Sequence, residues 1–65
     1  MMVDSLDEDF AKKLNALMER KGLTDMQVAN FFYTAPGTVT RWRYGKTKPV
    51  YAVQLTILKR LETMP

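Results

Sequence analysis

Between Leu6 and Leu61 the apolar residues recur at spacings of three and four, and the pattern is interrupted at only three places: Gly22, residues 34–37 and residues 45–49. That period places apolar side chains on one face of a helix, whereas half-buried strands require strict alternation. The chain is therefore expected to be all-α, with four helices or four and a fifth short turn, in one domain covering residues 1–65. At 65 residues there is no room for a separate substrate domain or a large catalytic cavity, so function has to be presented on a surface.

Leu6, Phe10, Leu14, Leu17 and Met18 mark the inner face of a first helix over residues 6–21, with acids in its first turns and Arg20 and Lys21 in its last. Gly22 stands where a left-handed cap is needed, and Leu23 can fold back onto the helix behind it. Thr24 with Gln27 three residues on has the form of a capping box, opening a second helix that runs through Val28, Ala29 and Phe31 to Phe32 or Tyr33. Pro36 suits the first position of a third helix because it has no amide hydrogen to leave unpaired. In that helix Val39 and Trp42 face inward, and Gly37, Thr38, Arg41 and Tyr44 face outward.

Gly45 ends the third helix, and a basic loop leads to a fourth helix over residues 50–62. Its apolar residues form two stripes. Val50, Val53, Ile57 and Leu61 are expected to cover the core, and Tyr51, Leu55 and Leu58 to pair with a second copy of the chain. The two short central helices joined by a tight turn make a helix-turn-helix. Trp42 reads as core packing in preference to a stacking platform for single strands, since it lies three residues from Val39.

Neither cysteine nor histidine occurs, which removes disulfides, thiolate chemistry, the commonest general base and the commonest metal ligand. No enzyme, cofactor, metal or small-molecule ligand is expected. The acids of residues 4–9 suit a helix N-terminus without any cation. No stretch is long and apolar enough for a membrane span, and the start lacks the order of a signal peptide, so a cytoplasmic protein is expected. The net charge of +3 is unevenly spread. Residues 1–25 carry six acids and four bases, whereas residues 26–65 carry six bases and one acid. Arg41, Arg43, Lys46 and Lys48 lie close together with no acid between them, which points to an anionic partner.

Leu23-Thr24-Asp25-Met26-Gln27-Val28-Ala29, followed by Val39-Thr40-Arg41-Trp42-Arg43-Tyr44-Gly45-Lys46-Thr47-Lys48-Pro49, resembles the helix-turn-helix proteins of the phage repressor and Cro family, the lambda repressor-like class. The resemblance runs without gaps from Leu14 to about Leu61. It implies a compact lambda repressor-like domain whose third helix lies in the major groove of double-stranded DNA. Carried over position by position, Pro36, Gly37, Thr38 and Arg41 would read bases, with Arg41 the strongest reader. Thr24, Thr40, Arg43, Tyr44, Lys46 and Lys48 would contact phosphates. Four residues depart from the family pattern. Pro36 and Gly37 bring no hydrogen-bonding side chain to the helix tip. Tyr33 stands where the family usually has a glycine with positive φ, so the turn is expected to differ locally. Asp25 replaces a commonly uncharged phosphate-contacting residue, and a structural role is expected for it. The implied function is a small Cro-like repressor of phage or prophage type, binding an inverted-repeat operator as a homodimer. The rival readings are an accessory protein for DNA packaging, replication or transposition that holds DNA through its backbone, and a protein-interaction module.

Overall fold

In the computed structural model, which describes residues 2–64 and side chains from Phe10 onward, the chain is all-helical. Its elements are α1 (Met2–Lys21), α2 (Asp25–Phe31), α3 (Pro36–Arg43) and α4 (Tyr51–Thr63). No strand occurs among the described residues, and no helix among them is long and apolar enough to cross a membrane. Helix α1 starts four residues earlier than the apolar spacing indicates. The side chain of Leu6 and the acids of residues 4–9 lie outside the described side chains. The segment after α3 is a turn at residues 44–46 followed by irregular chain to the start of α4.

Helix ends follow from local chemistry. Gly22 takes φ +67°, the Leu23 N–H donates to the Met18 carbonyl at 2.8 Å, and the Gly22 N–H donates to Glu19 at 3.3 Å. These are the paired bonds of a Schellman cap, and Leu23 packs back on the core behind them. The same arrangement closes α3, where Gly45 has φ +72° and the Lys46 N–H reaches the Arg41 carbonyl at 3.0 Å. It also closes α2, with Tyr33 at φ +57° and the Thr34 N–H bonded to the Ala29 carbonyl at 2.8 Å. The backbone at Tyr33 thus takes the same left-handed conformation as at the two glycines, and the turn is not remodelled around the larger residue. At the start of α2 both bonds of the capping box form: the Gln27 N–H donates to Thr24 Oγ1 and the Thr24 N–H to Gln27 Oε1.

Phe10, Leu14, Leu17 and Met18 of α1, Val28 and Ala29 of α2, Val39 of α3, and Ile57 and Leu61 of α4 form one buried cluster. Ala29 and Val39 are fully buried where α2 packs on α3, and a larger residue than alanine would push the two helices apart. Trp42 packs on the same cluster and meets Phe10 edge to face, with ring centroids 6.2 Å apart. Phe32 lies against the core while its neighbour Phe31 is partly exposed.

The fourth helix corrects the sequence reading. Helix α4 packs on α1, and its inner face consists of Gln54, Ile57 and Leu61, with Leu58 at the margin. Val50 and Val53, expected inside, are exposed, and Leu58, expected on the outward stripe, packs on the chain's own core. The reason is Gln54, whose Nε2 donates to the Pro49 carbonyl at 2.8 Å and closes the loop into α4. That bond satisfies a buried amide, so Gln54 can stand on the inner face, and Val50 is the extended N-cap residue outside the helical stripe. Tyr51 and Leu55 remain exposed as expected. At the far end the Lys21 ammonium donates to the Met64 carbonyl at 2.7 Å, tying the last turn of α1 to the end of α4.

Candidate nucleic-acid interface

Helix α3 presents one face outward because the other is fixed by Val39, which is completely buried. On the outer side Pro36, Gly37 and Arg41 are exposed and Thr38 is half-buried. Arg41 Nη2 lies 3.5 Å from Thr38 Oγ1, and its Nη1 is 3.6 Å from where a Cβ on Gly37 would sit. The guanidinium therefore folds back along the helix toward its N-terminal turn, bringing Gly37, Thr38 and Arg41 onto a single patch. Ala35 caps the helix with extended backbone and no side-chain hydrogen bond. Pro36 has no amide hydrogen and the Thr38 N–H donates to the Ala35 carbonyl at 3.0 Å, while the positive end of the helix dipole adds to the charge of Arg41.

Behind this face a polar network ties α3 to both preceding helices. Arg43 Nη1 donates to Asp25 Oδ1 at 2.6 Å, and its Nε donates to Asn15 Oδ1 at 2.6 Å. Asn15 Nδ2 in turn donates to the Arg43 carbonyl at 2.9 Å, and the Thr40 hydroxyl donates to Asp25 Oδ2. Asp25 thus has the structural role expected of it, joining the start of α2 to two successive turns of α3. Of the residues expected at phosphates, Thr40 and Arg43 are engaged in this network. The Thr24 oxygen is an acceptor in its capping box. Tyr44, Lys46 and Lys48 are exposed beyond the C-terminal end of α3. Of the three apolar residues expected to meet a second copy, Tyr51 and Leu55 are exposed and Leu58 packs on the core.

Asn15 was not apparent from sequence. It adjoins the core residue Leu14, and its partner is 28 positions away, so the only local sign is a polar residue beside an apolar face. A related feature is that residues 26–40, which cover α2 after Asp25, the turn and the first five residues of α3, contain no charged side chain. The cations nearest α3 are confined to its last turns and the loop that follows.

The Thr40 hydroxyl and, after it, the Arg43 guanidinium hold the Asp25 carboxyl below its ordinary range, against the opposing effect of partial burial. A carboxylate whose folded pKa is depressed adds stability above its unfolded value of about 3.9 and loses it as pH falls through the lower folded value. Asp25→Asn is therefore expected to lower stability by about 1 kcal/mol at neutral pH, since the pair is partly solvated. Thermal melts of both proteins from neutral pH down to about pH 2.5 should show the gap closing below about pH 4. A gap that stays constant over that range would mean that the charge of Asp25 contributes nothing.

No family model, no curated protein and no solved structure matches this chain.

Proposed function

We propose that the chain is a sequence-specific regulator of transcription that binds double-stranded DNA, acting as a small Cro-like repressor by occupying an operator. The observation that carries this reading is α3 itself. One side is locked into the core through Val39, and the other offers Pro36, Gly37 and Arg41 outward, with Lys46 and Lys48 exposed just beyond. A helix held so rigidly can enter a major groove as a unit, with its leading residues on base edges and the following cations on phosphates. The exposed Tyr51 and Leu55 on α4 support pairing with a second copy, which would place two such helices on an inverted repeat.

The test is selection of purified protein on random duplex DNA at about 150 mM salt, followed by sequencing of the retained fragments. An enriched inverted repeat is expected. Two or three cations per subunit in a dimer also predict a log-log salt slope of roughly −4 to −5. The absence of hydrogen-bonding side chains at Pro36 and Gly37 favours a second reading, an accessory factor that holds DNA by its backbone. Retention without any enriched motif would select it. A chain that retains no duplex would be an interaction module.

A further inference from the structure

Tyr33 combines two properties that do not belong together in a residue serving only the fold. Its backbone is left-handed, at φ +57°, where a side chain with a Cβ is disfavoured by about 1–2 kcal/mol. Its side chain is 96% exposed, so no packing within the chain offsets that strain. The other two helix ends with this geometry both use glycine. Glycine would make the α2 cap equally well, because the bonds from Tyr33 N–H to Asn30 and from Thr34 N–H to Ala29 involve backbone alone. Phe32, one residue earlier, is on the core, and Ala35, Pro36 and Gly37, just after, are exposed. Strain retained without internal compensation is characteristic of positions that act on something outside the chain.

We infer that Tyr33 contacts the sugar-phosphate backbone of bound DNA, with its ring against a sugar and its hydroxyl donating to a phosphate oxygen. The inference rests on the regulator reading above. Three peptide units, at most about 11 Å of chain, separate Tyr33 from Pro36 at the tip of α3. A helix with its side chains is about 10–12 Å across, and the major groove is about 12 Å wide. A residue that projects from just outside the helix N-terminus therefore meets the wall of the groove, which is backbone. The surroundings suit a neutral donor. Residues 26–40 carry no charge and the Arg41 guanidinium is turned toward Gly37 and Thr38 on the face of α3, so on the turn itself the tyrosine hydroxyl supplies the donor for a phosphate.

The experiment compares wild type, Tyr33→Gly and Tyr33→Phe in thermal melts and in binding to the selected duplex, or to the random duplex pool if no motif is enriched. Tyr33→Gly is expected to melt about 2–6 °C higher, because the backbone strain relieved outweighs the greater freedom of glycine in the unfolded chain by roughly 0.5–0.8 kcal/mol, and to bind DNA at least about fivefold more weakly. Tyr33→Phe keeps the strain and the ring, so its melting should be unchanged while its affinity falls by a smaller factor. Equal affinity of wild type and Tyr33→Gly overturns the inference and assigns the exposed ring to a protein surface. Weaker binding together with a lower melting temperature also overturns it, since the tyrosine would then be needed for the turn itself. A wild type that holds no duplex overturns this inference and the regulator reading together.

Discussion

Leu14→Ala is expected to lower the melting temperature by about 12–24 °C. Leu14 is wholly inaccessible to solvent at the middle of α1, in a cluster to which all four helices contribute. Truncation removes three carbons from a site whose neighbours are also fully buried, including Val28, Val39 and Leu61, so the surroundings can collapse only in part. A buried leucine lost in this way costs about 3 kcal/mol, with a range of roughly 2–5. A domain of this size has about 3–10 kcal/mol in total, so a large fraction of its stability would go. In a small domain each kcal/mol moves the midpoint by about 4–8 °C. Leu14→Met keeps most of the volume and should cost less than about 1.5 kcal/mol. Both can be measured by circular dichroism or calorimetry. A loss below about 5 °C for the alanine variant would show that α1 is not the element around which the core is built.

Arg41→Ala should leave melting unchanged and relax base preference at one position of each half-site. Arg41 is exposed, its closest polar contact is Thr38 at 3.5 Å, and it takes no part in the Asn15, Asp25 and Arg43 network. Its removal therefore leaves the scaffold intact. An arginine that reaches guanine O6 and N7 with two donors contributes about 1–3 kcal/mol of discrimination, roughly a 5- to 150-fold preference over the other bases. Repeating the selection with the variant should recover the same motif with that one guanine lost. Lys46→Ala offers the contrast, with weaker binding to all sequences and a salt slope shallower by about one per site. If Arg41→Ala instead weakens every sequence equally, Arg41 holds phosphate, and the accessory-factor reading takes precedence.

What could be read from the sequence and what could not divide along a physical line. The helix ends at Gly22 and Gly45 and the capping box of Thr24 and Gln27 are decided within six residues of chain, and they stand where their chemistry indicates. The outward face of α3 was equally legible, because burying Val39 fixes where Gly37 and Arg41 point. Arg43 was harder: a basic residue beside Arg41 reads as surface charge until its partners are known, and these lie 18 and 28 positions away. The inner face of α4 had the same origin, since nothing in its apolar spacing tells that Gln54 will bond Pro49 and take an inner position. At Tyr33 a rule about side chains lost to a backbone requirement, because α2 has to end and reverse there whichever residue occupies the site.

The three Schellman caps also bear on how quickly the molecule can assemble. Each reverses the chain through hydrogen bonds spanning no more than five positions, so α1, α2 and α3 can be arranged without long loops being closed first. The entropy of loop closure, which slows proteins built from distant pairings, is thereby reduced for these three helices, while the docking of α4 on α1 still joins distant residues. Helical domains of this kind fold in microseconds to milliseconds. A chain that opens therefore reseals quickly, and its apolar interior is open to proteases or to other chains only briefly.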